Sequence, residues 1–266
     1  MPVTFTKGKD CPTKGLHKRL LFQIFVKILN MKQLFSFAII LLAFTACRNY
    51  RQVRGSGNII SENRQTGNFK AISVGGSFDV ELKSGPVSEV RVEADDNVIK
   101  YVDIHVSGNT LKIETKGINN LNQAHLKVYI TSPEINQIKS SGAATVNIKN
   151  VLKNEDKIDL DVSGAANING EVDAPEINTQ ASGAGNIEIT GRTKVYKATA
   201  SGSGTIKSSE LMSETTNAHA SGAGTVHVYS SVSLDASASG AGTIHYKGGG
   251  SIIQKVSGAG SIKKDD

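Results

Sequence analysis

Hydrophobic and polar residues alternate with a period of two along much of the chain after residue 68. The alternation is clear at 69–74 and 77–82, on either side of Gly75-Gly76. Side chains that alternate in this way lie on opposite faces of a β-strand, and the glycine pair permits a tight bend between two strands. Similar segments lie at 90–94, 102–106, 111–114 and 126–130, with Ser107-Gly108-Asn109 as a hairpin turn. No stretch after residue 50 has a helical period, so the pattern predicts an all-β fold.

From residue 141 the alternation becomes a repeat. A four-residue word, Ser-Gly followed by two small residues, occurs seven times at intervals of 22, 19, 19, 20, 18 and 18 residues. A period near 19 is shorter than that of helical repeats and fits one coil of a stacked β-solenoid. We expect the word to form a structural corner of each coil. The predicted corner residues are Ser141, Gly142, Ser163, Gly164, Ser182, Gly183, Ser201, Gly202, Ser221, Gly222, Ser239, Gly240, Ser257 and Gly258.

Each word is followed by a polar, an apolar and a polar residue. The apolar positions predict one inward ladder with coils stacked about 4.8 Å apart, and ten or so coils would give a rod of about 50 Å. The ladder consists of Val146, Ile168, Ile187, Ile206, Val226, Ile244 and Ile262. The Thr and Asn side chains next to it are expected to form hydrogen bonds from coil to coil.

Several segments together carry a family resemblance. They are Ile72-Ser73-Val74-Gly75-Gly76-Ser77-Phe78-Asp79-Val80, Val92-Glu93-Ala94-Asp95-Asp96-Asn97, Ser107-Gly108-Asn109-Thr110-Leu111-Lys112-Ile113 and Ser140-Ser141-Gly142-Ala143. Over roughly residues 68–260 the chain resembles the head GIN domain family of auto-transporter adhesins, which is common among lipoproteins of Bacteroidetes-type bacteria. The resemblance implies a single-stranded, right-handed parallel β-helix-like solenoid and a location in the cell envelope. It implies no established biochemical activity.

The N-terminal region predicts a lipoprotein signal peptide. Met31-Lys32-Gln33 gives a basic start, 34–44 is apolar, and Thr45-Ala46-Cys47 resembles the end of a lipobox, in which Cys47 carries the lipid. Phe44 stands where leucine is usual, and an ordinary signal peptide with a chance cysteine is the alternative. Translation can start at Met1 or Met31. The predicted organisation is an upstream mis-start at 1–30, a signal peptide at 31–47, a polar tether at 48–66 and the solenoid domain at 67–266.

Charge and cysteine content exclude several classes of function. The formal net charge is +6, but residues 1–47 hold seven basic residues and one acidic residue. The remainder of the chain therefore holds 23 basic and 23 acidic residues. The domain after the leader therefore has no basic excess to neutralise phosphates, and we expect no nucleic-acid partner. Both cysteines, Cys11 and Cys47, lie in the leader. Disulfides and cysteine-based metal or catalytic sites are excluded from the domain that follows.

Two histidines are weak candidates for a metal site. His227 and His245 occupy the same register in successive coils, so stacked rings about 5 Å apart could share a transition metal. The equivalent positions elsewhere vary, which favours an outward row of solvated side chains, and we predict no metal or cofactor. Those positions are Asn147, Asn169, Glu188, Lys207 and Lys263.

No catalytic residue is predicted. A glycoside hydrolase needs two carboxylates at a defined separation, which sequence alone does not establish. The visible acidic clusters are Asp95-Asp96, Asp159 with Asp161, and Asp173 with Glu176, and no basic partner is evident at the register of the second cluster. The repeated serines have no accompanying His and Asp set, so we expect a hydrogen bond at each corner instead.

These observations predict a non-enzymatic cell-envelope lipoprotein. It would be anchored in the outer membrane by its lipid, on the periplasmic or the surface side, and would bind a polysaccharide or protein along its long faces as an adhesin-like protein or scaffold. A carbohydrate-active enzyme on the same scaffold and a purely structural envelope protein are the alternatives. An enzyme should have one groove in which carboxylates and basic residues converge.

Overall fold

The computed structural model describes residues 52–118 and 120–265, which are mostly β-strand. The first strands are β1 (Gln52–Arg54), β2 (Ile59–Arg64), β3 (Ala71–Gly76), β4 (Asp79–Ser84), β5 (Glu89–Asp95), β6 (Val102–Ser107), β7 (Thr110–Thr115), β8 (Asn120–Asn122), β9 (Leu126–Ser132), β10 (Gln137–Gly142), β11 (Thr145–Ile148) and β12 (Leu152–Lys153). The others are β13 (Lys157–Val162), β14 (Asn167–Asp173), β15 (Glu176–Ala181), β16 (Asn186–Ala200), β17 (Thr205–Ser208), β18 (Leu211–Ala220), β19 (Thr225–Ser230), β20 (Ser233–Ala238), β21 (Thr243–Gly248), β22 (Ser251–Val256) and β23 (Ser261–Lys264). Within these residues the helical content is one 3-10 turn, Ile99–Tyr101. The predicted all-β solenoid is confirmed.

The strands form two long faces that meet at the repeated corners. On the entry face, whose strands lead into a corner, the order is β7, β3, β10, β13, β15, the second part of β16, β18, β20 and β22. On the exit face, whose strands leave a corner, the order is β5, β9, β4, β11, β14, the first part of β16, β17, β19, β21 and β23. Strand pairing is parallel throughout the repeats. None of the described residues forms a helix that is long and apolar enough to span a membrane.

The structure stacks the seven corner glycines in one column, with φ between +65° and +78°. At Gly222 a Cβ would lie 3.0 Å from the carbonyl oxygen of Gly202 in the turn below. The same oxygen accepts a hydrogen bond from the Ala223 N–H at 2.7 Å, so it is held in place. Both the positive φ and the close approach of the two turns therefore favour glycine at this position. Three of the repeated serines show the expected contact, because the hydroxyls of Ser141, Ser182 and Ser221 donate to carbonyl oxygens of the neighbouring turn at 3.1, 3.2 and 3.5 Å.

The inward ladder is in register from turn to turn and forms the core. Its members from Val146 to Ile244 are fully buried, and Val80 extends it towards the N-terminus. Small buried residues stand just before the corner on the entry face of the later turns, where Ala198 pairs with Ala218. Tyr196 is the largest fully buried side chain, and its hydroxyl lies 2.9 Å from the hydroxyls of Thr179 and Ser208. Burial raises the pKa of Tyr196 to about 12, so the phenol stays neutral within the core.

The N-terminal part of the domain differs from the expectation of uniform coils. The seven stacked corners enclose about six regular turns, fewer than the ten or so that were expected. Strand β5 pairs antiparallel with both β2 and β9, and β6 with β7, so these strands cover the first turn instead of adding new ones. Residues 52–66 were expected to belong to a polar tether, but they contribute β1 and β2. Ile60 in β2 is partly buried against the core, while Ile59, Ser61 and Asn63 on the other face of the strand are exposed. The predicted mis-start, signal peptide and Cys47 lie outside the described residues.

The C-terminal end of the core has no comparable cover within the described residues. All six residues of β22 are exposed, including Ile252, which is in register with the buried Leu234 of the preceding turn. Ile262, the last member of the ladder, is only partly buried. The final turn is therefore held by fewer contacts than the turns before it.

Candidate binding face

Two outward rows of side chains run across the exit face. Row 1 contains the first strand residue after each corner, together with the residues of β4, β9 and β5 that are in register with it. Its members are Glu93, Lys127, Asp79, Thr145, Asn167, Asn186, Thr205, Thr225, Thr243 and Ser261. Row 2 lies two residues further along and consists of Asn63, Arg91, Tyr129, Glu81, Asn147, Asn169, Glu188, Lys207, His227, His245 and Lys263. Asn186 donates to Asn167 at 3.0 Å and Asn169 donates to Asn147 at 3.2 Å. The rows therefore help to hold the turns in register.

Row 2 enters an open cleft at its N-terminal end. The cleft has a volume of about 640 Å³ and is lined by side chains of β2, β4, β5 and β9 and the loops beside them. Two cations approach the ring of Tyr129, which lines the cleft: the Arg91 guanidinium lies 4.0 Å and the Lys127 ammonium 5.1 Å from the ring centroid. Strand β9, which carries Tyr129, lies between β5 and β4. Its antiparallel neighbour β5 places Arg91 opposite Tyr129, and its parallel neighbour β4 places Glu81 opposite Tyr129 on the other side. A half-buried aromatic ring with charged groups around it is a common feature of ligand-binding surfaces.

The two carboxylates beside Tyr129 are tied to cations. Lys127 Nζ lies 2.8 Å from Glu81, and this hydrogen bond lowers the Glu81 pKa below its ordinary value of 4.5. Burial alone would raise the pKa of Glu93, but hydrogen bonds from the Tyr129 hydroxyl at 3.0 Å and from Arg91 lower it. Both groups are therefore ionised at neutral pH. A general acid for glycoside cleavage needs the opposite shift, so this arrangement suits binding better than proton transfer.

The first acidic cluster has a structural role at the N-terminal end. Asp95 is buried and accepts hydrogen bonds from the backbone N–H groups of Gly57 at 2.6 Å and His125 at 2.7 Å. Asp96 accepts from the hydroxyl of Ser56, which contributes to lowering the Asp96 pKa. These bonds connect the segments before β2 and before β9 to the end of β5.

The other acidic clusters are ion-paired on the outer surface. Basic partners that were not evident from the sequence do exist, since Lys157 lies 3.0 Å from Asp159 and Lys139 is in register with Asp161. Asp173 pairs with Arg192 at 2.9 Å, and Glu176 pairs with Lys197 at 3.0 Å. The Asp173 and Glu176 pairs join neighbouring turns, whereas Lys157 and Asp159 lie on the same strand, β13. The structure brings none of these carboxylates into the cleft around Tyr129.

The histidine pair lies at the other end of row 2. The rings of His227 and His245 stack with centroids 4.7 Å apart and an interplanar angle of 12°. Nδ1 of His245 lies 2.8 Å from Asp265, a residue that the repeat pattern did not single out. Burial and the charge of the His245 ring lower the pKa of His227. His219, although close in sequence, lies on the entry face between Thr199 and Ser237.

Sequence reasoning missed the cleft because the strands that form it precede the repeat. Arg91 and Glu93, like Lys127 and Tyr129, are two residues apart on one strand and therefore share a face. That spacing was visible in the sequence. What it did not show is that β5 runs antiparallel to β9, which places Arg91 against Tyr129.

Comparisons with known proteins agree on the fold. The model of the family described as putative auto-transporter adhesin, head GIN domain, matches residues 68–250. A putative adhesin from Bacteroides fragilis has 24% identity and a TM-score of 0.76, with 80% of this chain and 100% of that chain covered. A putative lipid binding protein from Parabacteroides distasonis has 23% identity and a TM-score of 0.70, with 81% and 100% covered. A putative adhesin from Parabacteroides merdae has 23% identity and a TM-score of 0.66, with 81% and 99% covered. No curated protein is similar enough to count as a relative.

Proposed function

Since the chain belongs to the head GIN domain family, we propose that it is a non-enzymatic, adhesin-like protein of the cell envelope. It binds a polysaccharide or a protein on the exit face, with the cleft around Tyr129 as the main contact. The solenoid is the rigid support that presents this face.

The single observation that carries the proposal is the Tyr129 ring at the open cleft, with the cations of Arg91 and Lys127 close to it. The ring offers apolar surface to a sugar or side chain, while the neighbouring ionised groups offer hydrogen bonds in both directions. Row 2 continues from the cleft across the other turns, so a long polymer could extend along it beyond the cleft.

The proposal includes an envelope anchor at Cys47. Lipidation would attach the N-terminus of the mature chain to the outer membrane and leave the solenoid facing the periplasm or the outside. In cells that express the full chain, Cys47→Ser should abolish incorporation of labelled lipid and release the protein from the membrane fraction. Unchanged fractionation would rule out this anchor without affecting the binding proposal.

The binding proposal is tested with the full chain purified from membranes in detergent. It is applied to arrays of glycans, envelope proteins and, because one similar structure is described as a putative lipid binding protein, lipids. Tyr129→Ala should weaken binding of the strongest glycan or protein ligand roughly tenfold or more, as expected for a central aromatic contact. Tyr101→Ala is the matched control, because Tyr101 is also half-buried but lies in the 3-10 turn, outside both the exit face and the cleft.

Each alternative function has its own signature in the same experiment. Release of reducing ends from a polysaccharide, lost in Glu93→Gln, would show a carbohydrate-active enzyme. Binding to lipids alone would replace the proposed ligand class. Absence of any ligand would favour a purely structural role, and equal losses in Tyr129→Ala and Tyr101→Ala would refute the cleft.

A further inference from the structure

The C-terminal end of row 2 brings together three groups that can act as metal ligands. His245 Nδ1 lies 2.8 Å from Oδ1 of Asp265, and His227 Nδ1 lies 4.0 Å from Oδ2 of the same carboxylate. One ligand atom from each residue lies within 4.8 Å of the other two. We propose that His227, His245 and Asp265 bind a divalent transition metal ion, with Zn²⁺ as the ion that best fits two imidazoles and one carboxylate.

The repeat explains why the two imidazoles face the same point. Strands β19 and β21 are parallel and in register, so corresponding side chains of consecutive turns lie directly above one another. Asp265 follows β23 on the next turn, where its backbone N–H donates to the carbonyl oxygen of Tyr246 at 2.9 Å. This bond fixes the backbone of Asp265 and lets its carboxylate reach back over His245. The three ligands therefore come from three consecutive turns.

Small side-chain rotations would complete the coordination. With Zn–ligand bonds of about 2.0 Å in a tetrahedron, neighbouring ligand atoms lie about 3.3 Å apart. The His245 Nδ1 to Asp265 distance of 2.8 Å is shorter than this, and the His227 Nδ1 to Asp265 distance of 4.0 Å is longer. The stacked rings must therefore tilt towards a common point to bind one ion. Both rings can do so, because His227 and His245 are 31% and 26% exposed. Three protein ligands leave a fourth position open to water or another donor.

The two cations next to the histidines in row 2 leave room for a metal ion. Lys207, next to His227 in row 2, lies 3.5 Å from Glu188 on its other side. Lys263, next to His245, is exposed, so its ammonium group can extend into water. At the other three-residue cluster of potential ligands, Asp103, His105 and Glu114, the Lys116 ammonium lies 3.6 Å from Asp103 and competes directly with a cation.

A metal ion here would act as a clamp on the uncovered end of the solenoid. It would connect the segment after β23, where the core is partly exposed, to two preceding turns. This role is independent of ligand binding at Tyr129, which lies at the opposite end of row 2.

The test is titration of the full chain with Zn²⁺, followed by calorimetry and by thermal unfolding. One ion should bind per chain, and Zn²⁺ at a hundredfold excess over its Kd should raise Tm by about 5–10 °C. Hydrogen exchange of the last two strands should slow in the same samples. Co²⁺ in place of Zn²⁺ should give the visible absorption of a coordinated ion, which a non-specific effect on stability would not produce.

Three variants make the assignment specific. His245→Asn and Asp265→Asn should each weaken Zn²⁺ binding tenfold or more, and asparagine is already accommodated in row 2 at Asn147 and Asn169. His105→Asn is the matched control and should leave binding unchanged. Absence of binding by the native chain would overturn the proposal. So would retained affinity in the folded His245→Asn variant, or loss in the His105→Asn variant.

Discussion

Replacing Gly222 with alanine perturbs the corner in two ways that can be separated. The backbone at Gly222 has φ +66°, a conformation that costs a residue with a Cβ about 1 kcal/mol or more. The new Cβ would also lie 3.0 Å from the Gly202 carbonyl oxygen and 3.3 Å from the Gly202 nitrogen. Since that oxygen is already held by a 2.7 Å hydrogen bond from Ala223, relief of the contact must strain the stack, at a further cost of about 1 kcal/mol. The sum is about 2 kcal/mol, or about 4–8 °C in Tm.

The assay is thermal unfolding of the full chain with two reference variants. Gly108→Ala isolates the backbone cost, because Gly108 has φ +63° in the β6–β7 hairpin and a Cβ there would meet nothing within 4 Å. Its Tm should fall by about 2–4 °C. Gly67→Ala has neither a positive φ nor a close neighbour and should leave Tm nearly unchanged. If Gly222→Ala melts no lower than Gly108→Ala, the close contact between turns does not contribute to stability.

Two further predictions concern stability. The Glu81 pKa is lowered mainly by Lys127, so the stability from this pair is full above pH 4.5 and is lost as the pH falls through the folded-state pKa. Glu81→Gln should flatten the acid side of a plot of Tm against pH, and an unchanged slope there would contradict the assignment. Tyr196→Phe removes a hydroxyl that lies 2.9 Å from both Thr179 and Ser208. It should cost about 1 kcal/mol in the free energy of unfolding measured with urea, and no loss would show that these contacts contribute nothing.

The repeat made much of the fold predictable. One apolar position after each corner was enough to identify the ladder from Val146 to Ile262, because parallel turns in register place equivalent residues on top of one another. The first part of the domain lacks this constraint. Alternation predicts that β5 is a strand but does not give its direction, and the antiparallel pairing of β5 with β9 was therefore not foreseen. Residues of β2 look like a tether in sequence because polar side chains outnumber apolar ones on that edge strand.

The candidate sites were predictable only where they repeat. The common register of His227 and His245 follows from the coil period, and the structure places the two rings 4.7 Å apart. Asp265 has no counterpart in the preceding turns, so no pattern marks it as a third ligand. Tyr129 stands in row 2 beside Glu81, although 48 residues separate them in the sequence. Such a contact depends on how the N-terminal strands are paired, which local patterns do not determine.

The most direct test of the proposed function is a footprint of the bound ligand on the full chain. Hydrogen exchange is measured with and without the strongest glycan or protein ligand found on the arrays. The account predicts protection in β4, β5 and β9 around Tyr129, extending along the exit face, and no protection on the entry face. Protection confined to the entry face, or no difference between bound and free protein at Tyr129, would contradict it.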